Sequence, residues 1–257
     1  MDKVSSPAAS PSPPVPPSRG NAVASWLWDW AKSIGVALVV WLFLRTFLLE
    51  AFHIPSGSME KTLLVGDWLF VNKALYGAEV PFIHKHLPVV REPRVGDIVV
   101  FDSRDAPEVG EFAGIKVVKR LIGVPGDTLS MRGGQLYRNG QAVAEPYVQH
   151  INLQESAPPP MRDYMRRWQL PHVVGHDTAD YHPDVQDWGP IVVPRDSLFV
   201  MGDNRENSLD SRYWGFLPRM NLRGSPMFIY FSYDPESYRA MPFLTAVRWG
   251  RIFSGVR

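Results

Sequence analysis

The 257-residue sequence contains no cysteine, which excludes disulfides, thiol catalysis and cysteine-ligated zinc or iron–sulfur sites. The sequence also lacks a large excess of charges of one sign, since 27 basic and 26 acidic residues leave a net charge of only +1. No arginine-rich stripe is present. Such a balance creates no field that recruits nucleic acid, so we expect no nucleic-acid partner. With 45% hydrophobic residues, the chain can still bury the core of a folded domain.

Residues 1–23 have few apolar side chains to bury. Six prolines stand there among serine, alanine and glycine, which predicts a disordered tail. Residues 33–49 then read SIGVALVVWLFLRTFLL, with one charge at Arg45 and three tryptophans shortly before the run. This pattern predicts a transmembrane anchor helix over residues 24–50. A buried core helix is the alternative, which Arg45 favours, whereas a cleaved signal peptide is disfavoured because no small-residue cleavage site follows.

The charges beside this anchor give a small bias in orientation. Lys3, Arg19 and Lys32 oppose Asp2 and Asp29 on the amino-terminal side. Because basic residues mark the cytoplasmic side, we expect a single-pass protein of the inner (plasma) membrane, with its tail inside and the rest of the chain on the outer face. The lipid bilayer is therefore an expected partner.

After the anchor, short β-type runs separated by glycine and proline predict a mainly β domain over residues 51–257. The runs cover residues 68–76, 97–103, 114–124, 135–143, 190–202 and 225–233. Asn139-Gly140 is a hairpin signal. No alternation of strands and helices is evident, and residues 148–188 show little periodicity. We therefore expect a β-sheet core that carries an irregular inserted subdomain at about residues 127–193.

Three groups of polar residues follow the anchor. The first is the turn at residues 55–58, in which Ser56 and Ser58 flank a glycine that lets a substrate carbonyl approach the main chain. One hydroxyl could attack while the other donates to an oxyanion. Ser-Gly-Ser turns are common, and taken alone this one fits an ordinary polar turn better.

The second group is the run IKVVKRLIGV, residues 115–124. Strand alternation places Lys119 and Val117 on one face, and Val118 and Arg120 on the other. Burial that lowers the pKa of a lysine to about 8 leaves roughly a tenth of molecules as competent bases at pH 7. A solvated surface strand is the alternative.

The third group is the run MGDNRENSLDSRYWGFLP, residues 201–218, the most specific of the three. Ser208, Asp210 and Arg212 recur at every second position, which would place them on one face of an extended segment. There Ser208 could orient a lysine amine, and Asp210 could pair with an arginine. Each could also be a satisfied polar group of a loop.

In this order, behind an anchor, the three groups resemble the bacterial type I signal peptidases, or leader peptidases, which are proteases with a serine–lysine dyad. The resemblance covers residues 33–126 and 194–217. It implies that Ser58 is the nucleophile and Lys119 the general base. Ser56 would assist the backbone N–H of Ser58 in the oxyanion hole. Lys61 stands where many members have proline, and we expect both residues to suit the fold.

The resemblance also implies supporting and substrate-binding residues. Ser208 would position the lysine, while Asp210 and Arg212 would form an ion pair shared with Arg120. Apolar residues would line shallow pockets that select small side chains, namely Ile54, Leu63 and Val118. The implied activity is removal of signal peptides from secretory precursor proteins after an Ala-x-Ala-like pattern, by a monomer without metal or other cofactor.

Other functions remain open from the residues. A histidine-based protease is conceivable because seven histidines are present, and a metal could bind His172, His176, Asp180 and His182, although solvated loop residues fit them better. Self-cleaving repressors share the Ser-Lys chemistry, but their DNA-binding domain is replaced here by an anchor. A catalytically silent module that binds extended peptides by strand addition is a further alternative. Residues 241–257 either lie on a membrane surface or pack against the core.

Overall fold

The computed structural model describes residues 19–77, 79–80, 85–86, 88–103, 115–149, 159–175 and 179–256. The chain divides into two compact units, Met1–Leu44 and Arg45–Arg257. Most of the predicted disordered tail, residues 1–18, lies outside the described residues.

The first unit contains one long helix, α1, which spans Arg19–Phe43 and begins inside the segment predicted as tail. The last proline of the tail is Pro17, and a helix can start once proline no longer removes its backbone donors. Residues Val23–Leu48 form a stretch with mean hydropathy 1.7 and no buried residue. By length and composition this stretch can cross a membrane. A π-helical turn, Leu44–Leu48, follows α1.

The second unit is mainly β, as the sequence predicts. Its strands are β1 (Leu49–His53), β2 (Asp67–Asn72), β3 (Glu79–Val80), β4 (Lys85–His86), β5 (Ile98–Asp102), β6 (Lys116–Gly123), β7 (Thr128–Arg132), β8 (Gln135–Arg138), β9 (Gln141–Ala142), β10 (Trp188–Val192), β11 (Ser197–Met201), β12 (Leu217–Pro218) and β13 (Leu222–Ser232). Three short helices join them: α2 (Pro159–Gln169), α3 (Ser211–Trp214) and α4 (Pro242–Thr245).

Seven strands form one antiparallel sheet in the order β1-β2-β13-β5-β6-β11-β12. Strands β10-β7-β8-β9 form a second sheet, and β3 pairs with β4. Asn139 and Gly140 adopt positive φ angles of 53° and 80° between β8 and β9, so the hairpin prediction is confirmed. The insert is more regular than the sequence suggests, because it contains the second sheet and α2. Helix α2 begins at two consecutive prolines, and Met161, Tyr164, Met165 and Trp168 have the spacing of one helix face, a short pattern that the sequence analysis missed.

Strand β6 lies inside the large sheet, and both of its faces are covered. Val118 packs in a buried cluster with Ile54 and Leu63. Val117, on the opposite face, packs against a second cluster that includes Phe101 and Leu121. Polar side chains that project from β6 therefore enter the protein interior.

Candidate active site

The turn that carries Ser56 and Ser58 follows directly after β1. A single 3-10 turn, Gly57–Met59, presents the Ser58 side chain, and Ser56 before it is exposed and extended. Asn204, in the segment that follows β11, holds this turn in place. Its side-chain Nδ2 donates to the carbonyl of Gly57 at 3.2 Å, and its backbone N–H donates to the carbonyl of Ser58 at 3.1 Å.

Lys119 projects from β6 toward this turn. Its side chain is only 3% exposed, and its Nζ lies 2.6 Å from Oγ of Ser58. In the described part of the chain, this is the one hydrogen bond of the amine. Strand pairing of Lys119 with Val99 of β5 fixes the backbone from which it projects. The structure thus brings together two residues that are 61 positions apart in the sequence.

Burial lowers the pKa of Lys119 to about 8. The nearby carboxylates of Asp210 and Asp203 act in the opposite direction, whereas the positive charge of Arg212 adds to the lowering. With this pKa, about one molecule in ten carries a neutral amine at pH 7, against fewer than one in 1,000 for a solvated lysine. A neutral amine has a free electron pair, so Lys119 can accept the proton of the Ser58 hydroxyl.

Ser208, Asp210 and Arg212 are brought together, but Ser208 bonds to Asp210 and not to the lysine. Its Oγ donates to Oδ2 of Asp210 at 2.7 Å. The carboxylate is a strong acceptor, whereas a protonated amine has no electron pair with which to accept from the hydroxyl. Ser208 still lies close to the serine turn: a side chain at Gly202 would place its Cβ 2.3 Å from Oγ of Ser208 and 2.5 Å from the carbonyl oxygen of Ser58.

Asp210 and Arg212 form the expected ion pair in the protein interior. Two parallel bonds, each of 2.9 Å, join the guanidinium to the carboxylate, and both side chains are at most 3% exposed. Burial alone would raise the pKa of Asp210, but the charge and hydrogen bonds of Arg212 hold it below its usual value. The backbone N–H of Gly202 also donates to Asp210, at 3.0 Å.

Arg120 does not share this pair, which corrects the sequence expectation. It donates to both carboxylate oxygens of Asp203, at 2.8 and 2.7 Å, and stacks on Tyr147 at 3.9 Å. Neighbouring side chains of a strand point to opposite faces, so Arg120 cannot accompany Lys119. Pairing of Arg120 with Met201 of β11 brings Asp203 alongside instead.

Sequence reasoning assigned no role to Asp203 and Asn204. Asp203 accepts from Arg120 and also from the hydroxyl of Thr62 at 2.6 Å, so it connects β6 to the segment that follows Ser58. Asn204 holds the serine turn itself. The run Gly-Asp-Asn-Arg contained the signal, since four small or polar residues in succession can bond to several elements at once.

One cavity of about 690 Å³ contains Ser56, Ser58, Lys119 and Ser208 in its lining. Ile54 and Val118 also line it, as expected. Leu63 does not. It is fully buried in the core cluster behind Val118, because the chain turns inward after Met59.

Lys61 differs from its expected behaviour. Its φ angle is 81°, a value that the ring of proline cannot adopt, so this backbone would not accept the proline of many related proteins. The side chain reaches the insert, where Nζ donates to the carbonyls of Pro146 and Val148 at 2.7 and 3.3 Å.

The histidine and metal alternatives gain no support from the described residues. No described histidine lines the cavity, and no group of three or more metal-ligating side chains is found in the described ranges. His172 packs edge-on against Phe216, and His53 stacks on Trp68. His176 lies outside the described residues.

Comparison with known proteins identifies the family of the chain. The family model described as signal peptidase, peptidase S26, matches residues 27–231. Signal peptidase I of Leptolyngbya laminosa is 37% identical over 230 residues, which cover 86% of this chain and 90% of the relative. Signal peptidase I of Pseudomonas aeruginosa is 35% identical over 81% of this chain and 74% of the relative. A solved signal peptidase I from Enterococcus faecalis is 29% identical, with a TM-score of 0.34 over 53% of this chain and 97% of the other. With a family match over most of its length and relatives above 30% identity, the chain belongs to the signal peptidase I family of serine endopeptidases.

Proposed function

We propose that Ser58 is the nucleophile and Lys119 the general base of this signal peptidase. The observation that most directly supports this proposal is the 2.6 Å separation between Nζ of Lys119 and Oγ of Ser58, with the lysine almost fully buried. Proximity alone would leave the lysine protonated, and burial alone would leave it without a proton to accept. Together they give the serine a base that works near neutral pH.

The proposed reaction transfers the acyl group in two steps. Lys119 takes the hydroxyl proton as Oγ of Ser58 bonds to the scissile carbonyl carbon. The protonated amine then gives that proton to the leaving nitrogen as the C–N bond breaks, which releases the mature protein. Water, deprotonated by the same amine, next attacks the ester carbon, and the Ser58 oxygen regains the proton as the signal peptide leaves.

The negative charge that develops on the carbonyl oxygen requires donors. We assign this role to the backbone N–H of Ser58 and the hydroxyl of Ser56, which line the same cavity. Asn204 would keep the turn rigid, so that these donors are already oriented when the charge develops.

Asp210, Arg212 and Ser208 act in this proposal through electrostatics. They hydrogen-bond to one another and to neighbouring backbone groups, so the charges that they place around Lys119 are fixed in position. Asp210 raises the pKa of Lys119 and Arg212 lowers it, and burial sets the balance near 8. Arg120 would contribute indirectly, since with Asp203 it joins β6 to the segment after Ser58.

The substrate would bind as an extended strand. Strand β11 pairs with β6 only at Arg120, Leu121 and Gly123, so residues 116–119 keep one unpaired edge in the described part of the sheet. That edge borders the cavity, as do Pro55 and Ser56. A precursor segment can pair there through its main chain. Ile54 and Val118 are packed core residues, so the space beside them fits small side chains, as in an Ala-x-Ala pattern.

Substrate replacements test this specificity. A precursor with alanine at P1 and P3, the first and third residues before the scissile bond, should be cleaved by the detergent-solubilised protein, with the new amino terminus read by mass spectrometry. Leucine at either position should lower kcat/KM roughly 100-fold or more, because the core behind Ile54 and Val118 cannot yield. Equal cleavage of the alanine and leucine precursors would contradict the proposed pockets.

We also propose that α1 anchors the protein in the inner membrane, with the second unit on the outer face. The exposed apolar surface of Val23–Leu48 supports the anchor.

The carboxyl-terminal segment has features of both expected arrangements, packing against the core and contact with a membrane surface. Arg251 pairs with the buried carboxylate of Asp67, whereas Trp249 and Phe253 are more than 75% exposed and could contact lipid.

The absence of cysteine allows a direct test of orientation. Tyr238→Cys, at a fully exposed position of the second unit, and Ser12→Cys, in the tail, each introduce the only thiol of the chain. In intact cells whose outer barrier is permeabilised, a membrane-impermeant maleimide should label Tyr238→Cys, and Ser12→Cys only after lysis. The opposite labelling pattern would show that the orientation is inverted.

A further inference from the structure

The cavity beside Ser58 and Lys119 is larger than small side chains at P1 and P3 require. Its volume of about 690 Å³ is in the range of pockets that hold whole small-molecule ligands. From the serine turn its lining continues to Met161, Tyr213 and Trp214. These three residues have no role in the reaction described above.

The two faces of β6 differ in what lies over them. Val118 belongs to the same packed cluster as Ile54, and both are at most 6% exposed, so little space remains on that face. Val117 is only partly buried and packs, as Trp214 does, against the buried cluster that contains Phe101. The deeper part of the cavity therefore opens on the Val117 face.

Strand alternation relates these faces to the substrate. A segment that pairs with the free edge of β6 has successive side chains on opposite faces of the sheet. If P1 and P3 face Ile54 and Val118, then P2, the residue between them, faces Val117. The P2 side chain is thus directed into the part of the cavity that extends toward Trp214.

The chemistry of this region is apolar. Tyr213 and Trp214 contribute aromatic rings from α3, and Met161 contributes a flexible thioether from the first turn of α2. Besides Lys119, three charged residues line the cavity. Lys116 pairs with Glu50 and Asp102 with Arg223, and Glu206 adjoins Asn207, which lies against the serine turn. A large apolar side chain would fill the space without leaving a charge unpaired, whereas an acidic one would lose its hydration.

We propose that Met161, Tyr213 and Trp214 form a subsite for a large apolar P2 side chain, of the size of leucine or phenylalanine. The inference rests on the proposed function, since it requires a substrate strand beside Ser58 and Lys119. It also gives the insert a role, because α2 supplies one wall of the subsite. The enzyme would thus select the middle residue of the Ala-x-Ala pattern as well as the two alanines.

The first test varies the substrate and leaves the enzyme unchanged. Four peptides that differ only at P2 (leucine, phenylalanine, alanine or glutamate) are cleaved by the full-length, detergent-solubilised protein. We expect kcat/KM for leucine and phenylalanine to exceed that for alanine about tenfold or more, with glutamate lowest. Equal values for all four peptides would overturn the subsite and leave the proposed function intact. No cleavage of any of them would overturn the proposed function itself.

The second test changes the wall. Met161→Glu places a carboxylate in the first turn of α2, where a helix tolerates it. We expect the ratio of kcat/KM for P2 leucine to that for P2 lysine to fall about 100-fold, which a general loss of activity would not produce. Met220→Glu is the matched control, because Met220 is 70% exposed and lies outside the lining, and its ratio should equal that of the unmodified protein. An unchanged ratio in folded Met161→Glu would overturn the role of α2.

Discussion

Replacing Lys119 by alanine should lower kcat for precursor cleavage roughly 10³-fold or more. Loss of a general base costs 10²–10⁴-fold in typical enzymes, and Lys119 is the one hydrogen-bond partner of the Ser58 hydroxyl among the described residues. Ser58→Ala should be equally inactive, and the double variant should show no further loss, because the two residues act as one unit. Single-turnover cleavage with excess enzyme measures all three. More than about a tenth of the normal rate in Lys119→Ala would contradict the proposal.

Lys119→Met provides the control for folding. A lysine whose pKa falls from 10.5 to about 8 on folding destabilises the native state by ~3 kcal/mol at neutral pH. The penalty is complete below pH 8, shrinks as pH rises from 8 to 10.5, and vanishes above that range, where both states are neutral. Lys119→Met should therefore be inactive yet more stable than the unmodified protein at pH 7, with this advantage lost near pH 11. Denaturant midpoints at the two pH values measure it.

Replacing Asp210 by alanine should destabilise the second unit by about 3–5 kcal/mol. The change leaves the guanidinium of Arg212 buried, 2% exposed and without its carboxylate. It also removes the acceptor of the Gly202 N–H and of the Ser208 hydroxyl. Asp163→Ala is the matched control, because Asp163 is exposed on α2, and it should change stability by less than about 0.5 kcal/mol. Thermal unfolding of both variants compares them.

The same variant should change the pH profile in a defined direction. Asp210 raises the pKa of Lys119, so its removal should lower that pKa further, and the remaining activity should extend to lower pH. A destabilisation below about 1 kcal/mol, or a shift of the profile to higher pH, would contradict the electrostatic role of Asp210.

The sequence predicted those parts of the fold that depend on local pattern. Short β-type runs bounded by glycine and proline predicted the strands, and Asn139-Gly140 predicted a hairpin because both residues tolerate positive φ. The valines beside Lys119 were compatible with burial, with a solvated surface strand as the alternative. In each case the determining neighbours lie within a few residues along the chain.

The remaining features depend on contacts between distant segments. Arg120 could form an ion pair with either Asp210 or Asp203, and the pairing register of β6 with β11 places it beside Asp203. Leu63 was expected in a pocket because of the family resemblance, but an apolar side chain near the serine turn can face either the groove or the core. The left-handed backbone of Lys61 accompanies its bonds to the carbonyls of Pro146 and Val148, 85 and 87 residues away. No local pattern encodes these choices.

The dependence of kcat/KM on pH tests the central claim most directly. For a peptide without titratable groups, kcat/KM reports the pKa values of the free enzyme. If Lys119 is a desolvated base beside Ser58, kcat/KM should rise tenfold per pH unit below the inflection and level off above pH 8, the value to which burial brings its pKa. An inflection near 10.5, that of a solvated lysine, or one near 6.5, that of a histidine, would contradict the account.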